Sequence, residues 1–178
     1  MAKEEKGRDP SLTGVERTFG NDEIIVSKTN PKGIITYANE LFLKIADYRQ
    51  DEVLGKPHNV IRHPHMPKAV FKLLWDALKD GQEIFAYVVN RTKYGDHYWV
   101  LAHVTPSFDD AGSIIGLHSN RRSPRREAIS VIEPLYRQLK AIEDKASTPR
   151  EAVESSYNAL TGILQEKGIS YDQFVLSL

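Results

Sequence analysis

The chain has 178 residues, 40% hydrophobic and 27% charged, with 24 Lys and Arg against 24 Asp and Glu. That composition suits a globular domain with a real core, and a zero formal charge gives no reason to expect nucleic acid or an anionic membrane as the main partner. The absence of cysteine excludes disulfides, iron–sulfur clusters, thiolate catalysis and cysteinyl–flavin adducts.

The opening MAKEEKGRDP lacks the apolar core of a signal peptide, and residues 1–21 read as a flexible arm that ends in a docking turn. No apolar run is long enough to span a bilayer, so a membrane link has to come through a partner, and a cytoplasmic location is the expectation. From Asp22, the runs EIIVS and IITYAN flank Asn30-Pro31-Lys32-Gly33, a turn in which proline fixes one φ and glycine accepts a positive one. This predicts a β-hairpin.

Leu41, Phe42, Ile45 and Ala46 fall at helical spacing behind Asn39, a plausible cap, and Arg49–Gly55 reads as a further helical turn. Next comes GKPHNVIRHPHMPK, a basic, proline-stiffened loop that feeds an apolar helix over 67–79, with Pro67 in its first turn and Gly81 past its end. Strands are predicted over Glu83–Lys93, His97–Pro106 and Ser113–Ser119, joined by hairpin turns. Two strands, short helices and three antiparallel strands make an α+β domain over 22–122, one five-stranded antiparallel sheet with short helices on one face. Residues 123–178 form a helical extension, with a kink or break expected at Pro134 and helix starts at Thr148 and Ser170. Its apolar stripe calls for a partner: the domain's own sheet, a second copy, or another protein.

The group Arg62, His63 and His65 admits three readings. Guanidinium and imidazoles at a helix start can hold a phosphate; His58, His63 and His65 can ligate a metal or haem iron; or the histidines are simply structural. His-x-His on a loop lacks the acidic or cysteine partners of a familiar zinc pattern, so no metal site is assigned. Trp75, Trp99, Tyr87 and Tyr98 are core by type, yet as a set they can wall a flat pocket, with Asn90 and His103 as polar groups facing a ring. Arg121, Arg122, Arg125 and Arg126 read as a solvated helix start or a salt-bridging partner surface. No Gly-rich phosphate loop or recognisable nucleophile is present, which disfavours an enzyme.

The segments ITYAN, GKPHNVIRHPHMPKAVFKLLW, NRTKYGDHYWVLAHVTP and VIEPLY closely resemble the PAS domain of the bacterial aerotaxis-receptor family, over about residues 22–140. The resemblance implies a PAS fold and non-covalent FAD binding, with Asn39, Arg62, His63 and Trp75 at flavin-binding positions and Asn90 on the strand near the ring. His65 stands where the family often has an acid and Ile84 where it has a tryptophan, which leaves haem or an empty pocket as alternatives. The set to be tested is therefore Asn39, Arg62, His63, His65, Trp75, Asn90, Trp99 and His103. The family continues into a membrane anchor and signalling coiled coil. This chain is similar instead to short stand-alone PAS proteins whose output comes from a separate membrane chemoreceptor, with a homodimer through the helical extension as a further expectation. The function so implied is a redox or energy-state sensor in aerotaxis. A haem gas sensor and a cofactor-free interaction module are the alternatives.

Overall fold

The computed structural model describes residues 12–178. β1 (Ile25–Thr29) and β2 (Ile35–Ala38) form the expected antiparallel hairpin, with Ser27 opposite Ala38. At its turn Asn30 Oδ1 accepts from the N–H groups of Lys32 and Ile34, and Gly33 takes φ +77°. Asn39 caps α1 (Glu40–Ala46) by accepting from Phe42 N–H at 3.0 Å. A short α2 (Gln50–Val53) and a 3₁₀ turn (His58–Ile61) lead to α3 (Lys68–Lys79), where Pro67 stands at the cap rather than inside the first turn.

β3 (Ile84–Arg91), β4 (His97–Phe108) and β5 (Ile114–Arg122) complete an antiparallel sheet in the order β2-β1-β5-β4-β3. β5 continues to Arg122, beyond the expected end at Ser119, because β1 and β4 both pair with those last residues: Arg121 lies opposite Ile25 and Ala102. Side chains alternate across a strand. The registers therefore put Ser27, Thr29, Leu117, Ser119, Arg121, Ala102, Val104, Val88 and Asn90 on one face, and Tyr87, Val89, Trp99, Leu101 and His103 on the other. The first face turns towards the 3₁₀ turn and α3, and we call it inner.

The outer face is covered by the C-terminal helices α4 (Arg126–Glu143) and α6 (Tyr171–Leu176), while α5 (Pro149–Lys167) lies against α3 and α4. The Trp99 and Tyr136 rings are 6.0 Å apart, Tyr136 Oη donates to Tyr87 O at 2.6 Å, and Phe85 N–H donates to Asp172 Oδ1 at 3.1 Å. The stripe on α4 is thus satisfied by the domain's own sheet. Of the break or kink expected at Pro134, the break is absent: one helix runs through the proline from Arg126 to Glu143. Proline removes a single N–H bond, and Ile129, Ile132, Tyr136 and Leu139, on either side of it, are all buried.

Of the expected N-terminal arm, residues 1–11 lie outside the described residues. Thr13 and Arg17 donate their N–H groups to Gly95 and His97 carbonyls, and Arg17 pairs with Asp47 and Asp96 at 2.7 and 2.8 Å. The start of β4 therefore carries a docked segment. The expected caps at Thr148 and Ser170 are present, and Val175 near the chain end is fully buried.

Candidate functional site

Between the inner face and α3 lies a cavity of about 230 Å³. Its apolar walls are Phe71, Leu74 and Trp75 from α3 against Val88, Ala102, Val104 and Leu117 from the sheet. The β1–β2 turn closes one side: a Cβ added at Gly33 would come within 3.2 Å of Trp75 Cη2. Glycine takes both that approach and the positive φ without strain. A slot this size, walled by an indole, a phenyl ring and aliphatic side chains, suits a flat ring system.

The inner face is nevertheless polar along β1 and β5. Arg121 is 4% exposed, and its Nη2 donates to Ser27 Oγ at 2.7 Å and to His58 Nε2 at 2.6 Å. A guanidinium only donates, so His58 accepts at Nε2 and carries its proton on Nδ1. Burial, then the Arg121 charge, pushes the His58 pKa down to about 3, and burial pushes Arg121 down to about 10. The histidine is neutral and the arginine charged at physiological pH. The Phe42 ring lies 5.6 Å from the Arg121 guanidinium carbon and meets the His58 ring edge-on at 6.0 Å.

Four residues lining this cavity each carry a buried polar atom with no hydrogen-bond partner: Thr29 Oγ1, Asn90 Nδ2, Ser119 Oγ and Arg121 Nη1. Each such group costs about 1–3 kcal/mol when left unsatisfied. Two amine-type donors and two hydroxyls form a set suited to a ring edge that alternates carbonyl acceptors with an N–H donor. The cavity rim carries exposed Lys32, Asn59 and Arg62. The Arg62 guanidinium carbon sits 3.7 Å from the Phe71 ring centroid, and its backbone bridges to Asn90.

Of the residues singled out from sequence, Arg62, Trp75 and Asn90 line this cavity together. Asn39 does not: its amide is consumed by the α1 cap, by Val26 N–H at 3.0 Å and by donation to Ile24 O at 2.8 Å. His63, His65 and Trp99 border a second hollow, between the outer sheet face and α4. There the His63 ring meets those of His65 and His97 at 4.8 and 5.8 Å, edge-on. Among the described residues, no group of three or more His, Cys, Asp or Glu is placed to hold a metal ion. His103 is on the outer face, stacked on Phe85 at 4.2 Å and 2.7 Å from Glu83 Oε2.

Sequence reasoning missed Arg121, His58, Ser27, Thr29 and Ser119 as members of the site. Arg121 is also a correction to the basic run, expected to be solvated: it is buried inside the sheet, whereas Arg126 pairs with Glu16 and Arg125 donates to the Leu178 carbonyl.

Residues 35–120 match the PAS fold family. The aerotaxis receptor of Escherichia coli K12 is 40% identical over 132 residues, which cover 74% of this chain and 26% of the receptor. The biofilm dispersion protein BdlA of Pseudomonas aeruginosa is 32% identical over 87 residues, 48% of this chain and 21% of that protein. The chain therefore spans about a quarter of the length of these curated relatives. Among solved structures, a light-oxygen-voltage domain studied with a flavin analogue superposes with a TM-score of 0.56 at 21% identity, covering 63% of this chain and 85% of that one. The dark-state Aureochrome1 light-oxygen-voltage domain gives 0.55 at 23% identity, covering 62% and 82%. By its motifs, its sheet order and these likenesses, the chain contains a PAS domain, similar to that of the bacterial aerotaxis receptors.

Proposed function

We propose that the inner cavity binds a flavin, FAD, and that the protein reports redox or energy state to a membrane chemoreceptor from the cytoplasm. The observation that carries this reading is the set of orphaned atoms on Thr29, Asn90, Ser119 and Arg121 around a flat apolar slot. The pyrimidine edge of an isoalloxazine presents two carbonyl acceptors with an N–H between them, the complement of that set. The relatives agree, since one is named an aerotaxis receptor and a fold neighbour was studied with a flavin analogue.

In this reading Trp75 and Phe71 stack over the ring while Val88, Val104 and Leu117 exclude water from its other face. The cavity of about 230 Å³ takes the ring system rather than a whole dinucleotide, so the diphosphate falls to the rim, where Arg62 and Lys32 carry positive charge. His63 faces the other hollow and is too remote in orientation to share that task. A bound flavin supplies a ring whose charge changes on electron uptake. Asn90 and Arg121 respond to that change by re-pairing, and β3 and α3 pass it to the C-terminal helices. A signal requires that the two states differ in affinity for the receiving protein. The haem reading fits this cavity less well, because His58, the one cavity histidine among the described residues, already gives its Nε2 to Arg121.

The test is the absorption spectrum of the purified protein, before and after reconstitution with FAD. A two-band flavin spectrum supports the reading. A Soret band, or no flavin uptake on reconstitution, refutes it.

A further inference from the structure

Arg121 is a buried cation without a counter-ion among the described residues. Its guanidinium is held by two neutral groups, Ser27 and His58, and no carboxylate among the described residues pairs with it. A charge taken out of water is costly unless paired and hydrogen-bonded. Here Arg121 lines the cavity beside Ser119 and Asn90, and its buried Nη1 has no hydrogen-bond partner, so an occupant of the cavity is the available source of one.

We infer that Arg121 is the charge-selecting residue of the site, favouring a ligand edge that carries negative charge over the same edge when neutral. This rests on the flavin reading and deepens it. When dithionite supplies two electrons to the ring and water supplies one proton, the second ring position stays deprotonated and one negative charge is left at the polar edge. Arg121 offers that charge its counterpart, so the cavity holds reduced FAD more tightly than oxidised FAD and raises the midpoint potential. His58 and Ser27 act as positioning residues: neither brings a compensating negative charge, and both fix the guanidinium plane.

The experiment uses the full chain and FAD, with affinity for each redox form measured anaerobically and the midpoint potential taken by dithionite titration. The expected result is tighter binding of reduced than of oxidised FAD by the wild type, a preference lost at least tenfold in Arg121→Met and largely kept in Arg121→Lys. For a two-electron couple, tenfold corresponds to a downward shift of about 30 mV. A purely structural arginine would lower affinity for both forms equally and leave the potential unmoved, which overturns the inference. Should Arg121→Met not fold, the wild type alone decides: equal or weaker binding of reduced FAD overturns the inference while leaving flavin binding intact. Failure of the wild type to bind FAD at all removes both.

Discussion

The carboxylate of Glu143, near the end of α4, accepts from the backbone N–H of Lys68, the first residue of α3, at 2.6 Å. An acid at a helix N-terminus satisfies an orphan donor and the helix dipole together. The same oxygen accepts from Ser156 Oγ of α5 at 2.9 Å, so one buried carboxylate joins three helices, and one of these, α3, carries Trp75 and Phe71 into the cavity. Removing it leaves the Lys68 N–H unpaired at the start of α3, while the Ser156 hydroxyl falls back on the Ala152 carbonyl of its own helix at 2.9 Å. Glu143→Ala is expected to destabilise the protein by about 3 kcal/mol and Glu143→Gln by about 1–2 kcal/mol, by analogy with breaking other buried charged hydrogen bonds. Urea unfolding followed by circular dichroism checks both, and an unchanged midpoint in Glu143→Ala would refute the latch.

Gly33→Ala tests the closure of the cavity by the β1–β2 turn. The residue has φ +77°, and its new methyl would meet Trp75 Cη2 at 3.2 Å. The left-handed backbone alone costs a non-glycine residue about 1 kcal/mol, and displacement of the indole adds to it. The expected loss is about 1–2 kcal/mol in thermal unfolding, with an altered tryptophan emission maximum. Emission identical to wild type would mean that the turn does not lean on Trp75.

Tyr136→Phe probes the outer face. The hydroxyl donates to Tyr87 O at 2.6 Å and lies 3.4 Å from Tyr171 Oη, all three residues being buried. The variant keeps the ring against Trp99 but leaves the Tyr171 hydroxyl short of a neighbour, for an expected loss of about 1–2 kcal/mol. Hydrogen exchange should show faster opening of α6 than of α5, because only α6 is tied through Tyr171; equal acceleration would contradict that route.

How much of this was legible in the sequence depends on what each residue's local chemistry could announce. The caps at Asn39, Thr148 and Ser170 and the turn at Gly33 were readable because each uses its side chain or its φ within four residues of itself. The inner face of the sheet was not. β3 and β4 are buried on both sides, by α3 within and α4 without, so alternation gave no sign of which parity faced the cavity. That is why Trp99 and His103 were grouped with Asn90, although the register sets Asn90 opposite Tyr98 on the inner face and turns Trp99 and His103 to the outer one. Arg121 was hidden by composition, since a strand tail running into Arg-Arg-Ser-Pro-Arg-Arg resembles a solvated linker. The available signal was period two itself: Leu117, Ser119 and Arg121 share a parity, and continuing the strand by two residues would have carried the guanidinium inside.

The His58 environment gives a pH dependence with a definite sign. Its folded pKa, about 3, lies below the unfolded value near 6.5, so the unfolded chain takes up a proton first. The stability due to the neutral ring is complete above pH 6.5 and is lost as pH falls towards 3. The slope is at most about 1.4 kcal/mol per pH unit, and lower to the extent that water reaches the ring through the cavity. Carboxylates held low by hydrogen bonds and cations, such as Asp96 beside the Thr13 hydroxyl and Arg17, act only at the acid end of this range. Urea midpoints between pH 7.5 and 5, taken for wild type and His58→Gln side by side, therefore report on His58. His58→Gln should flatten the fall; an equally steep fall in that variant would assign it to another group.

Arg62→Ala separates the two ends of the ligand. Arg62 rims the cavity, stacked on Phe71, whereas the orphaned donors lie at its floor. A charge-assisted hydrogen bond to a phosphate is worth about 1.5–3 kcal/mol, so FAD affinity is expected to fall roughly 10- to 100-fold. Riboflavin has the same ring and no phosphate, and its affinity should stay within about twofold of wild type. Asn90→Ala should show the reverse, weakening FAD and riboflavin alike, because Asn90 is a buried lining residue with an unpartnered Nδ2, away from the exposed rim. Equal losses for both ligands in Arg62→Ala would place the arginine against the ring and the diphosphate elsewhere.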